Sequence, residues 1–444
     1  MRALTNLFDA WRADRGGNFA LATAAVATVV VAAAGFGINA VQLHSARSQL
    51  LYALDAAVTS TARDLTTGTI AEKDARGSVE SFLFSNVDGE AAVRLDGLVV
   101  DRQARTVSAS AAMTVDLFFP VFGGSPTRTV VADSAALYSD KAIEVVMMLD
   151  VTGSMAGKKI EALKTAATNA VDAFLGGQDA RNPRVRLSIV PYADAVNVGA
   201  LARYVHYEKA FTSAEPPVWT GVTMASSGRN DIDLLPDGTR RGDRCATERK
   251  GDFRYSDASP ASAMPSRDYR LEFCPAAILT PLTGDADALR ATIDGFHAQG
   301  STAGHIGIQW SWYMLSPRWR EFLPASARPA QHDARRVAKI AILMTDGEFN
   351  TAFAGVGRNG DTTGGQASRS RDNAERLCDA MKLDGIELFT IGFMLKEAGA
   401  KAVMNDCASP DDTTRHYFET SSAEELNQAF LEIARNIESL ALTR

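Results

Sequence analysis

Residues Val145-Val146-Met147-Met148-Leu149 form an unbroken apolar run that stops at Asp150 and a turn signal. Such a run reads as a strand covered on both faces, the kind found inside a parallel sheet with helices on either side. That reading demands further strands of the same sort, alternating with helices. Strands are expected at Arg184–Tyr192, Ala338–Met344 and Ile386–Phe393. Helical periodicity is found at Lys158–Leu175, Ala286–Phe296, Arg371–Lys382 and Glu424–Ile437. The expected fold class over residues 141–444 is therefore α/β, a doubly wound sheet with helices on both faces.

Residues 193–277 interrupt this alternation. They are rich in Asp, Arg, Gly, Ser and Pro and hold Trp219, Cys245 and Cys274. So long a stretch without a period is uncommon in a compact domain and reads as an inserted subdomain. The chain has four cysteines, Cys245, Cys274, Cys378 and Cys407, with no Cys-x-x-Cys pair. Two disulfides suit an oxidising compartment, and locality favours Cys245–Cys274 and Cys378–Cys407. Four buried free thiols are the alternative.

The first 140 residues differ in kind. Residues 1–15 form a short polar leader with Arg2, Arg12 and Arg15. From Gly16 to Ala46 there is no Asp, Glu, Lys or Arg. Its centre, Phe19 to Val41 through Val30, meets the roughly 20 residues a spanning helix needs. The preceding arginines favour a cytoplasmic N-terminus, with the bulk of the chain outside. A cleaved signal peptide is the competing reading, although the apolar run exceeds the usual length. Leu50, Leu54, Val58, Thr61 and Leu65 recur at helical spacing, so one helix is expected over residues 16–66. Over 67–140 a small α+β region is expected: a short helix near Glu72–Phe84, then strands at Val93–Val100, Val107–Leu117 and Arg128–Tyr138. Asp96-Gly97 and Gly123-Gly124-Ser125-Pro126 read as the turns between them.

Function is written at the strand ends. Asp150, Thr152 and Ser154 offer one carboxylate and two hydroxyls where open α/β sheets place ligands. Three hard oxygen donors suit one side of an octahedral dication such as Mg²⁺. Completion requires loops at the same sheet edge, and right-handed crossovers bring Gly300-Ser301-Thr302 and Thr345-Asp346-Gly347-Glu348 there. A catalytic reading finds no support. Ser154 has no histidine nearby in sequence, there is no His-Glu-x-x-His, and Gly157-Lys158 lacks Walker spacing. A net charge of -7 without a basic tract disfavours nucleic acid as a partner. The Gly355–Gly365 run reads as a loop near the metal edge.

Asp150, Thr152, Ser154, Thr302 and Thr345-Asp346-Gly347 together resemble the metal-ion-dependent adhesion site of the von Willebrand factor A family, with Thr152 where many members carry Ser. The resemblance implies that Ser154 and Thr302 supply hydroxyls and that Asp150 and Asp346 act directly or through water. It implies Mg²⁺, with Mn²⁺ or Ca²⁺ as alternatives, and a coordination position left for a partner's carboxylate.

Across nearly its whole length the chain resembles TadG-like proteins of the tight-adherence (Flp, type IVb) pilus system. The likeness is carried by Asp14-Arg15-Gly16-Gly17-Asn18-Phe19-Ala20, Ala46-Arg47-Ser48-Gln49-Leu50, Ala53-Leu54-Asp55-Ala56-Ala57 and Pro191-Tyr192 with Val196-Asn197-Val198-Gly199. It continues in Cys274-Pro275, Leu279-Thr280-Pro281-Leu282, Leu315-Ser316-Pro317, Met344–Thr351 and the tail Ala441-Leu442-Thr443-Arg444. This resemblance implies a minor pilin-like subunit held by one span in the bacterial inner membrane and later joined to a filament. Its partners would be other minor pilins and pilus subunits, the inner membrane and a carboxylate-bearing surface ligand. No Glu follows Gly16 or Gly17 in the first helical turns, which argues against prepilin-peptidase processing. The alternative is a pilus assembly or initiation factor whose metal is structural.

Overall fold

A computed structural model describes residues 18–67, 69–87, 92–102, 104–120, 125–138, 141–176, 178, 183–208, 240–354, 363–411 and 414–443. The leader 1–15, Trp219, Gly123-Gly124, most of the Gly355–Gly365 run and Arg444 lie outside the described residues. The chain divides into two compact units, one essentially 1–139 and the other 140–444.

In the first unit, helix α1 runs Asn18–Thr67. Phe19 lies in its first turn, and from Ala20 onward it is long and apolar enough to cross a membrane by length and composition; Val30 and Val41 are exposed. Its second half buries Leu50, Leu54, Val58 and Leu65, one stripe at helical spacing. They join one core with helix α2 (Ala75–Ser85), through Val79 and Leu83, and with a three-stranded antiparallel sheet. That sheet comprises β1 (Ala92–Asp101), β2 (Thr106–Asp116) and β3 (Thr127–Leu137), in that order. Val107, Ala109, Ala111 and Met113 of β2 supply its core face, as their alternation implies. The Asp96-Gly97 expectation fails. Both residues lie inside β1, where the register shifts between Leu95 and Gly97. Glycine here marks a bulge rather than a hairpin turn, and a Cβ on Gly97 would come 3.0 Å from Ser110 Oγ.

The second unit holds β4 (Ala142–Asp150), α3 (Lys158–Leu175), β5 (Val185–Tyr192), β6 (Thr280–Thr283), α4 (Ala286–Asp294) and α5 (Gly304–Leu315). There follow β7 (Val337–Thr345), α6 (Thr363–Leu383), β8 (Glu387–Phe393), α7 (Ala398–Cys407), β9 (Tyr417–Thr420) and α8 (Ala423–Thr443). The sheet order is β6-β5-β4-β7-β8-β9, all parallel except β6. Successive β4 side chains enter opposite cores. Val145, Met147 and Leu149 meet α3, α4 and α8, whereas Val146 and Met148 meet α5, α6 and α7. Every residue of α5 is buried, so this helix is covered all round. This is the doubly wound order, and it places the topological switch between β4 and β7.

A row of charges pins the register at the opposite end of these strands. Glu144 on β4 sits between Arg186 on β5 and Lys339 on β7, with Lys339 Nζ 2.6 Å from its carboxylate. Both partners follow from the ladder itself, since each is the direct cross-strand neighbour of Glu144. The inserted segment is joined to the sheet's own core. Leu201, Val205, Cys245, Ala246 and Leu271 share the cluster that surrounds α5. Cys245 and Cys274 are bonded at 2.06 Å, and Cys378 of α6 is bonded to Cys407 of α7.

Candidate metal centre

Asp150 ends β4 and Thr345 ends β7, one on each side of the switch point. Asp150 is fully buried. Its Oδ1 accepts from Thr152 N at 2.9 Å. Its Oδ2 accepts from Tyr192 OH at 2.9 Å, Thr345 Oγ1 at 2.7 Å and Asp346 N at 3.3 Å. Burial, and then the Asp346 carboxylate beside it, pushes Asp150 up to about 6.

In front of Asp150 stand the groups that face the opening. Ser154 Oγ donates to Asp346 Oδ1 at 2.5 Å and lies 2.9 Å from Thr152 Oγ1. Lys159, in the first turn of α3, donates to Asp346 Oδ2 at 2.6 Å. The loop before α5 supplies Thr302, whose backbone is clamped to Asn350: Thr302 N donates to Asn350 Oδ1, and Asn350 N donates to Thr302 O, both at 2.9 Å. Gly347 makes room for that threonine. A Cβ there would come 2.5 Å from Thr302 Oγ1 and 2.9 Å from its methyl carbon. The loop after β4 is joined directly to the loop before α5, through Gly153 N donating to Gly300 O at 2.9 Å and Gln299 N donating to Val151 O at 2.9 Å.

The result is a cavity of about 300 Å³ whose wall includes Ser154, Thr302, Asp346, Lys159 and the exposed Glu348. Three residues with positive φ outside glycine occur among the described residues, and two of them flank this cavity: Phe349 (φ 51°) and Met394 (φ 53°). Phe349 is held there by burial; its ring occupies the space a Cβ on Gly304 would fill. Local strain of this sort clusters at functional sites.

The residues fit a hard divalent cation. All the converging donors are oxygens, and two carboxylates adjoin in a buried place, which raises Asp150. The structure sorts the five sequence-selected residues into two ranks. Ser154, Thr302 and Asp346 reach the cavity wall, whereas Asp150 and Thr152 lie buried behind them and fix the loop. Lys159, Tyr192 and Asn350 are not read from the sequence as site residues. Each acts through a partner 42 to 187 positions away, where no spacing rule points.

No family model and no curated protein matches the chain. Among solved structures it is similar to the von Willebrand factor domain of the type V pili tip protein Mfa5 from Porphyromonas gingivalis, at 12% identity and TM-score 0.38, over 69% of this chain and 97% of that one. It is similar to the pilus adhesin SpaC from Lactobacillus rhamnosus GG in its open conformation, at 12% identity and TM-score 0.38, over 79% of this chain but 34% of SpaC. A third is proximal thread matrix protein 1 from the mussel byssus with a zinc-occupied MIDAS motif, at 11% identity and TM-score 0.32, over 67% of this chain and 46% of that one. Likeness at these TM-scores carries no functional argument. The sheet order and the loops at its switch point define an α/β doubly wound domain, and its fold resembles these von Willebrand factor domains.

Proposed function

We propose that the chain is a minor pilin-like subunit of a tight-adherence pilus, anchored by α1 in the bacterial inner membrane, whose A domain is a Mg²⁺-dependent binding module. Mn²⁺ and Ca²⁺ are alternative occupants of the same oxygen set. The module holds a carboxylate-bearing group on a surface ligand or on another pilus subunit. When bound, the cation supplies a coordination position to which a partner's carboxylate can attach.

One observation carries the reading. The loops bearing Ser154, Thr302 and Asp346 are already knit by protein hydrogen bonds, Gly153 to Gly300 and Thr302 to Asn350. Protein hydrogen bonds thus share in holding these loops, which favours a recognition role over a purely structural one. The three residues line a cavity at the sheet edge. The reading is of binding and not of catalysis. The Ser154 hydroxyl engages Thr152 and Asp346, and no histidine reaches it among the described residues.

Asp346→Ala, in cells that make pili, separates the two readings of the site. Normal pilus number with reduced attachment supports the binding module. Absence of pili would favour an assembly or initiation factor with a structural metal.

A further inference from the structure

The first unit contains a contact that its fold does not need. The connection leaving β2, Leu117–Pro120, turns back onto α1 at Gly35, Asn39 and Gln42, which share one helix face at i, i+4 and i+7. Asn39 clasps the backbone of Phe119 from both sides: its Nδ2 donates to Phe119 O at 2.6 Å and its Oδ1 accepts from Phe119 N at 3.1 Å. Gln42 Nε2 donates to Asp116 O at 2.7 Å, and its Oε1 accepts from Phe118 N at 3.3 Å. Leu117 N donates to Pro126 O at 2.7 Å. Phe118 N and both backbone groups of Phe119 are therefore paired with side chains of the helix, while Phe118 and Phe119 stay 72% and 46% exposed.

We propose that this loop is a second membrane-contacting element, which places Phe118 and Phe119 among the acyl chains of the leaflet on the side of the folded units. Helical rise puts Asn18 and Asn39 about 32 Å apart, close to a hydrocarbon core of about 30 Å. Asn39 and Gln42 then mark the outer boundary. Phe119 packs on Gly35, about one turn deeper, and the loop shares a groove of about 600 Å³ with Ala27, Val31 and Gly35. Val31, which lines it, is 66% exposed, so apolar surface runs from helix to loop. Non-helical backbone is tolerated near that depth where its polar groups are paired, and Asn39 and Gln42 pair those of Phe119 and the N–H of Phe118. The inference rests on α1 spanning a bilayer and is independent of the metal site.

The test is spin labelling of the full chain in phosphatidylglycerol–phosphatidylethanolamine vesicles, with single Phe118→Cys, Val31→Cys and Val99→Cys variants. The native cysteines are disulfide-bonded and take no label. Labels at 118 and 31 are expected to be at least several-fold more accessible to oxygen than to a water-soluble nickel chelate, and the label at 99 the reverse. Asn39→Leu should move the 118 label toward water while leaving 31 unchanged. A 118 label open to nickel with 31 in lipid overturns the inference alone. A 118 label closed to both reagents means that protein covers the loop, and also overturns it. A 31 label open to nickel overturns the spanning helix and the inference together.

Discussion

Lys159→Met probes the cation site through a residue that is not one of its oxygen donors. Lys159 Nζ lies 2.6 Å from Asp346 Oδ2, with the lysine side chain 27% exposed and the aspartate fully buried. Removing one partner of a buried ion pair costs about 3–5 kcal/mol, and the lysine's partial exposure puts the expected cost near the lower end, about 3 kcal/mol. In chelator, the variant should melt roughly 6 °C below wild type, at about 2 °C per kcal/mol for a unit of this size. Lysine and cation compete for the same carboxylate, so the lost interaction reappears as cation affinity. About 3 kcal/mol corresponds to roughly 100-fold tighter Mg²⁺ binding. Thermal unfolding with and without Mg²⁺, together with calorimetric titration, measures both. Unchanged melting in chelator with unchanged affinity would refute the pairing, and weaker Mg²⁺ binding would mean that Lys159 supports the site instead of opposing it.

Other perturbations follow from the same geometry. Gly347→Ala forces a methyl to within 2.5 Å of Thr302 Oγ1; overpacking of this kind costs about 1–3 kcal/mol and should weaken Mg²⁺ binding through the displaced hydroxyl, whereas wild-type affinity would contradict the close approach. Asp150 is held up at about 6, above an unfolded aspartate near 4, so its contribution to the stability of the cation-free protein is complete below about pH 4 and is lost as pH rises through 6, about 3 kcal/mol in all. Proton and cation compete over that window, and Mg²⁺ affinity should fall toward roughly tenfold per pH unit below 6; a flat affinity between about pH 5 and 7 contradicts this. Glu144→Gln leaves Lys339 and Arg186 without their shared carboxylate and should destabilise the domain by about 3–5 kcal/mol in denaturant unfolding, with Mg²⁺ affinity unchanged because the row lies at the far end of the strands.

Much of the sheet is legible from local pattern because its central strands are long and uninterrupted. Val145–Leu149 and Ile340–Met344 could hardly be buried otherwise, and the carboxylates that end them mark the switch point. The edges are harder. β6 is four residues, Thr280-Pro281-Leu282-Thr283, and a proline at that place reads against a strand until it is seen on an antiparallel edge. β9 and α7 are likewise too short or too mixed for a clear period. At Asp96-Gly97 local chemistry gives a turn, yet pairing with β2 on both sides of the irregularity keeps the strand running and turns the glycine into a bulge. The site shows the same division. Its oxygen donors follow from strand ends and loop composition, whereas the groups that orient or neutralise them depend on contacts such as Lys159 to Asp346 and Tyr192 to Asp150, which only the folded sheet brings together.

The central claim is that Ser154, Thr302 and Asp346 form one cation site. Calorimetric titration of Mg²⁺ into the full chain, alongside Asp346→Ala and Thr302→Val, tests it most directly. The account predicts one saturable site in wild type, loss of about 100-fold or more in affinity for Asp346→Ala and about tenfold for Thr302→Val, each with the fold intact by circular dichroism. Wild-type binding in both variants, or no saturable binding in wild type, would contradict it.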